Sequence, residues 1–128
     1  MSDDKLPRTL AFAATRTNET HRGWRESLLR PSVLQVLDSE GQGGVCELDA
    51  EEFIIGRGVE ATFQVMSAEL SRVHMRVHKA RRGWRVEDLD SKNGVYLNGT
   101  QVHSALLRNG DLIEVGSVSF VFMEGNVG

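Results

Sequence analysis

Arginine, serine, lysine and asparagine recur in three short clusters of this 128-residue chain, and together they form a donor set for an anion. The first is Ile55-Gly56-Arg57; the second is Leu70-Ser71-Arg72-Val73-His74. The third runs from Asp88 to Gly99 and holds Ser91-Lys92-Asn93-Gly94 and then Asn98-Gly99. Arg57 supplies a planar, permanently charged cation able to make directional, bidentate hydrogen bonds that a lysine cannot copy. Ser71 offers a short hydroxyl and a backbone N–H, Lys92 an ammonium, and Asn93 an amide that both donates and accepts.

The segments between the clusters must hold them, and they read as strands. From Ser32 the chain shows short apolar alternations broken by turn residues: Val33–Leu37, Val45–Leu48, Glu52–Ile55, His74–His78, Trp84–Glu87, Val95–Leu97, Leu112–Val115 and Val118–Phe122. Arg81-Arg82-Gly83 can turn one strand into the next, placing Met75 and Val77 on the same inward face as Trp84 and Val86. Asn98-Gly99 suits a type I′ hairpin turn returning into Gln101-Val102, and Asn109-Gly110-Asp111 repeats the device. About ten such strands argue an all-β, antiparallel sandwich with the three clusters in loops at one end. Residues 1–30 differ: they are polar, lack the alternation, and read as a flexible arm, with a short helix possible over Thr20–Leu29 because Trp24 and Leu28 would share a face. The expected division is arm 1–30, sandwich 31–124 and tail 125–128.

Composition narrows the partners. Eighteen acidic against fifteen basic residues give a formal charge of -3, which disfavours nucleic acid and anionic membranes as general targets, so anion recognition has to be local. Cys46 is the single cysteine; it excludes an internal disulfide and a cysteine-based zinc cluster, and it reads as a small core side chain. Neither a membrane span nor a secretory signal is evident, and a reducing, cytoplasmic setting is expected.

The clusters, taken in order with Asp88-Leu89 and Asn109-Gly110-Asp111, resemble the motif series of the forkhead-associated (FHA) domain over about Val33 to Glu124. The resemblance implies a sandwich of about eleven strands whose loops bind phosphothreonine peptides, marked by an upstream Ser/Thr kinase, with no cofactor, metal or catalytic residue. A phosphothreonine brings about -1.5 to -2 charges and three acceptor oxygens, which is the ligand such a donor set requires. By resemblance Arg57 and Ser71 bind phosphate, Arg72 contacts phosphate or the peptide backbone, Asn93 touches the peptide, and Gly56, His74 and Gly94 support the site, His74 by bracing the Ser71 loop. Lys92 stands where many relatives have threonine, and its ammonium either adds charge to the phosphate site or points outward; Asn98 could touch the peptide, although the hairpin turn alone explains it. Glu69 stands where some relatives carry a basic residue that selects acid three positions after the phosphothreonine, so no such preference for acid is expected. Val95 replaces the threonine that usually follows Asn-Gly.

Other readings compete with this one. The same fold can serve as a protein-interaction or regulatory domain of a larger protein without phosphate. Ser71, His74 and Asp88 invite a hydrolase triad, but no Gly-x-Ser-x-Gly elbow accompanies them. The basic hairpin Arg76, Lys79, Arg81, Arg82 and Arg85 invites nucleic acid, but alternation turns Trp84 inward and removes a stacking platform. Thr15, Thr17 and Thr20 lie in an arm that a kinase can reach; phosphorylated, one of them could bind the chain's own site.

Overall fold

Alternation decides the architecture. In a computed structural model, which describes residues 30–38, 40, 41 and 43–126, eleven strands form two packed sheets and no helix occurs among the described residues. The strands are β1 (Val33–Leu37), β2 (Gly43–Glu47), β3 (Glu52–Gly56), β4 (Phe63–Gln64), β5 (Met75–Ala80), β6 (Gly83–Asp88), β7 (Tyr96–Leu97), β8 (Thr100–Gln101), β9 (Ser104–Leu106), β10 (Leu112–Val115) and β11 (Val118–Met123). One sheet has the order β2-β1-β11-β10-β7-β8 and the other β4-β3-β5-β6-β9. Residues 1–29 of the arm, with the helix expected over Thr20–Leu29, lie outside the described residues.

The core is the inward half of each alternation. Leu34, Ile55, Met75, Val77, Val86, Ile113, Val115 and Phe120 are fully buried, and Trp84 packs at a tilt on Phe53 with ring centroids 6.3 Å apart. Removing side chains of this size from water stabilises a fold by about 1.5 to 3 kcal/mol each. The β5–β6 hairpin turns through Arg81 and Arg82, with Val77 opposite Val86 as the alternation predicts. Asn98 and Gly99 both adopt positive φ (49° and 89°), the geometry a two-residue I′ turn demands.

Two strands depart from the expected pattern. β4 and β9 are too short to show a period, and β4 pairs in parallel with β3 (Ile55 with Phe63), so the sandwich is antiparallel except at that edge. Asn109-Gly110 is a turn with Gly110 at φ 88°, but it carries the chain from β9 in one sheet to β10 in the other and makes no hairpin.

The topology brings the clusters together. β3, β5 and β6 are neighbours, so the loop after β3, the loop before β5 and the loop after β6 share one end of the sandwich. The β10–β11 turn reaches the same end. At the opposite end Val33 pairs with Met123, and Arg30 and Asn126 hydrogen-bond through the Asn126 N–H to the Arg30 carbonyl (3.0 Å) and the Arg30 N–H to the Asn126 side chain.

Candidate functional site

Two backbone segments lie against each other at the base of the site. The N–H of Arg57 donates to the Ser71 carbonyl (2.9 Å) and that of Gly58 to the Arg72 carbonyl (3.0 Å). Gly56 is needed for this approach: a Cβ there would sit 2.1 Å from the Arg72 carbonyl oxygen. The Arg57 guanidinium is fixed by its Nε–H, which donates to the Leu70 carbonyl (3.0 Å), while Gln64 Nε2 donates to the Arg57 carbonyl (2.9 Å). Its two terminal nitrogens make no hydrogen bond among the described residues, so the head is held on one edge and open on the other.

His74 ties this segment to the third cluster. Its ring is wholly buried; Nδ1 accepts from the Ser71 N–H (2.9 Å), so Nε2 carries the proton and donates to the Gly94 carbonyl (2.9 Å). The Ser71 N–H, expected to face an anion, is thus used inside the protein. The Ser71 hydroxyl oxygen accepts from the Lys92 N–H (3.0 Å), which leaves its own O–H to donate outward. Gly94, buried at φ 85°, donates its N–H to Ser91 Oγ (2.9 Å), and the Ser91 N–H donates to Asp88 Oδ1 (3.1 Å), closing the loop on itself. The Lys92 side chain is exposed and its ammonium forms no ion pair among the described residues.

Asn93 joins the two loops from above. Its Nδ2 donates to the Glu69 carbonyl (2.7 Å). The Glu69 carboxylate turns to the β10–β11 turn, accepting from the Ser117 N–H (2.7 Å) and from the Ser117 hydroxyl, and these bonds, the hydroxyl's first, hold its pKa below the usual carboxylate value. A cleft of about 380 Å³ opens beside Asn93, lined by Glu69, Tyr96, Glu114 and Gly116.

Residues 53–116 match the family model of the FHA domain. This chain belongs to the FHA family. It is 32% identical over 95 residues to the oxoglutarate dehydrogenase inhibitor of Corynebacterium jeikeium, covering 74% of this chain and 66% of that protein. The chain spans less than two thirds of the length of the curated relatives it matches. Among solved structures, the FHA domain of FhaA in complex with the intracellular domain of Rv3910 superposes with a TM-score of 0.64 at 30% identity, covering 71% of this chain and 98% of the other. An FHA domain from a study of phosphothreonine-dependent FHA domain interactions superposes with a TM-score of 0.64 at 27% identity, covering 71% of this chain and 95% of the other.

Within the FHA frame two expected ligands are placed differently. Arg72 is engaged in the free protein: its Nε and a terminal nitrogen grip both oxygens of Glu60 at 3.1 and 2.9 Å. Asn98 is set back from the site. It lies opposite Leu112, at the start of β10, while the site adjoins the other end of that strand; its Oδ1 accepts from the Leu112 N–H and its Nδ2 donates to Asp111 Oδ1, both at 3.0 Å. Both polar atoms of the Asn98 side chain thus brace the β7–β8 turn. Glu60 and Ser117 were not flagged by sequence reasoning, and Leu70 and Ser91 were named in their clusters without a role; Gly58, whose missing Cβ would lie 2.2 Å from Glu60 Oε1, was the signal available for the first.

The rival readings also meet this geometry. Both His74 nitrogens face backbone groups, and Asp88 caps Ser91, so no Ser71–His74–Asp88 relay exists. Trp84 is buried, and Arg76 of the basic hairpin is neutralised by Glu52 (3.0 Å) and Glu87 (2.9 Å).

Proposed function

We propose that this FHA domain reads phosphothreonine in a protein segment marked by a Ser/Thr kinase and acts by recruitment, without catalysis. The observation that carries the reading is the pre-set Arg57 head beside the Ser71 hydroxyl, each fixed by backbone hydrogen bonds before any ligand arrives. The open edge of Arg57 takes phosphate oxygens in charge-assisted hydrogen bonds, each worth about 1.5 to 3 kcal/mol. The Ser71 O–H donates to a third oxygen, and the Lys92 ammonium, without an ion pair among the described residues, adds charge. Asn93, anchored through its Nδ2, keeps its Oδ1 for a peptide N–H. Glu69 and Glu114 in the neighbouring cleft disfavour an acidic peptide side chain there.

The site of action is the cytoplasm, and nucleic acid and membrane are not its partners. Among the described residues no helix is long and apolar enough to cross a membrane. A phosphorylated Thr15, Thr17 or Thr20 is a candidate internal ligand. Thr20 lies ten positions before Arg30. Extended, they span up to about 35 Å, against about 20 Å along β11 from Arg30's end to the site.

The test is binding of a degenerate phosphothreonine peptide library, with phosphoserine and unphosphorylated versions, to the whole chain and to Arg57→Ala. Binding near micromolar, about -8 kcal/mol, that needs the phosphate and is lost with Arg57 is the expected result. Binding indifferent to phosphate would overturn the proposal in favour of a phosphate-independent interaction domain. A chain beginning at Pro31 that binds when the full chain does not would locate the block in the arm.

A further inference from the structure

Next to the phosphate-reading cations lies an anion that belongs to the protein itself. Glu60, in the β3–β4 loop, holds Arg72 through both carboxylate oxygens, and the pair rests over Gly58, where any side chain would collide with Glu60 Oε1 (2.2 Å) and Arg72 Cβ (2.9 Å). Gly58 follows Arg57 directly, so the Glu60 carboxylate sits within the field of both arginines; the Arg72 hydrogen bond lowers its pKa most, and the charge of Arg57 contributes. Both partners are exposed, with 53% of each side chain accessible, and the Arg72 guanidinium makes no other hydrogen bond among the described residues.

Such an arrangement sorts ligands by charge. A carboxylate arriving from solution offers Arg72 no more than Glu60 already does, and Glu60 is tethered beside it at high effective concentration. A phosphate dianion carries up to twice the charge and three acceptor oxygens. Once seated on Arg57 and Ser71, it is also held beside Arg72 and competes as a second intramolecular partner. We propose that Glu60 is a specificity-determining residue: it withholds Arg72 from ligands bearing a single carboxylate charge and yields it to a phosphate dianion. The proposal rests on the phosphate-reading function. It extends that function by giving Arg72 a conditional role and by explaining how acidic segments are refused.

The experiment follows the Arg57 and Arg72 Nε–H signals of the full chain by NMR, assigned with Arg57→Lys and Arg72→Lys. Inorganic phosphate at a pH where the dianion predominates is compared with acetate at matched ionic strength. Phosphate is expected to shift both signals, while acetate leaves Arg72 in place. In Glu60→Gln, acetate should also move Arg72, with apparent affinity raised about threefold to fivefold, the weight of one exposed ion pair. An Arg72 signal that responds equally to both anions in the unmodified chain, or that stays still while Arg57 responds to phosphate, overturns the role of Glu60. An Arg57 signal unmoved by phosphate overturns the phosphate-reading function and this inference with it.

Discussion

Replacing His74 by alanine should undo the site by undoing the structure beneath it. The imidazole is fully buried and bridges the Ser71 N–H and the Gly94 carbonyl at 2.9 Å each. Alanine leaves a donor and an acceptor without partners at a depth that water reaches poorly, at about 1 to 3 kcal/mol apiece. The emptied ring volume adds a cavity term. The two orphaned groups alone come to about 2 to 6 kcal/mol before the cavity is added, a large share of the ~5 to 15 kcal/mol that holds a domain of this size folded. With a urea dependence of about 2 kcal/mol per molar, the unfolding midpoint should fall by roughly 2 M. Ser71→Ala is the control. It removes only the hydroxyl that accepts from the Lys92 N–H, so it should cost about 1 kcal/mol of stability while weakening phosphopeptide binding as a lost ligand does. If His74→Ala unfolds within about 1 kcal/mol of the unmodified protein, the histidine is not a brace and the reasoning fails.

Three further outcomes follow from particular contacts. Asn98→Ala should lower stability by about 1 to 2 kcal/mol through its two lost hydrogen bonds and its positive φ, yet leave phosphopeptide affinity by calorimetry unchanged; a tenfold loss of affinity would restore it as a ligand. Glu69 has its pKa lowered in the folded state by the Ser117 hydroxyl and N–H, so its stabilising contribution is present above the ordinary value of 4.5 and is lost as pH falls below it. The urea midpoints of Glu69→Gln and the unmodified chain should therefore differ at pH 7 and converge in acid, and a gap independent of pH would refute the linkage. Burial, and after it the charges of Asp49 and Glu47, push the Cys46 thiol up to about 12, so alkylation by iodoacetamide at pH 8 should be slow in the native protein and fast in urea. Rapid native labelling would show that the strand end opens.

What the sequence disclosed was whatever depends on local pattern. That Met75, Val77, Trp84 and Val86 share one inward face could be read from alternation alone, and Asn98-Gly99 announced its turn because few other dipeptides tolerate two positive φ values. The strands that escaped, Phe63–Gln64 and Ser104–Leu106, are two and three residues long, too short for a pattern to stand out from the loops around them. The site divides in the same way. Arg57, Ser71, Lys92 and Asn93 could be named because their types and order carry the family resemblance, and the fold brings their loops to one end. The contacts that set their availability are long-range: Glu69 meets Ser117 across 48 positions, and Glu60 meets Arg72 across 12. No periodicity reports such pairs, which is why Arg72 read as a free cation and Asn98 as a free amide.

The meeting of Arg30 with Asn126 has a consequence for where this sandwich can be placed. Entry to and exit from the sandwich lie side by side, at the end of the sheets remote from Arg57. A domain with adjoining ends can be spliced into a surface loop of a host with little strain on either partner. Joining the two ends by a short linker and reopening the chain at the exposed Arg81-Arg82 turn should likewise give a circularly permuted protein with the same pocket. Recognition and covalent connection are thus assigned to opposite poles, and the host can change without renegotiating the ligand.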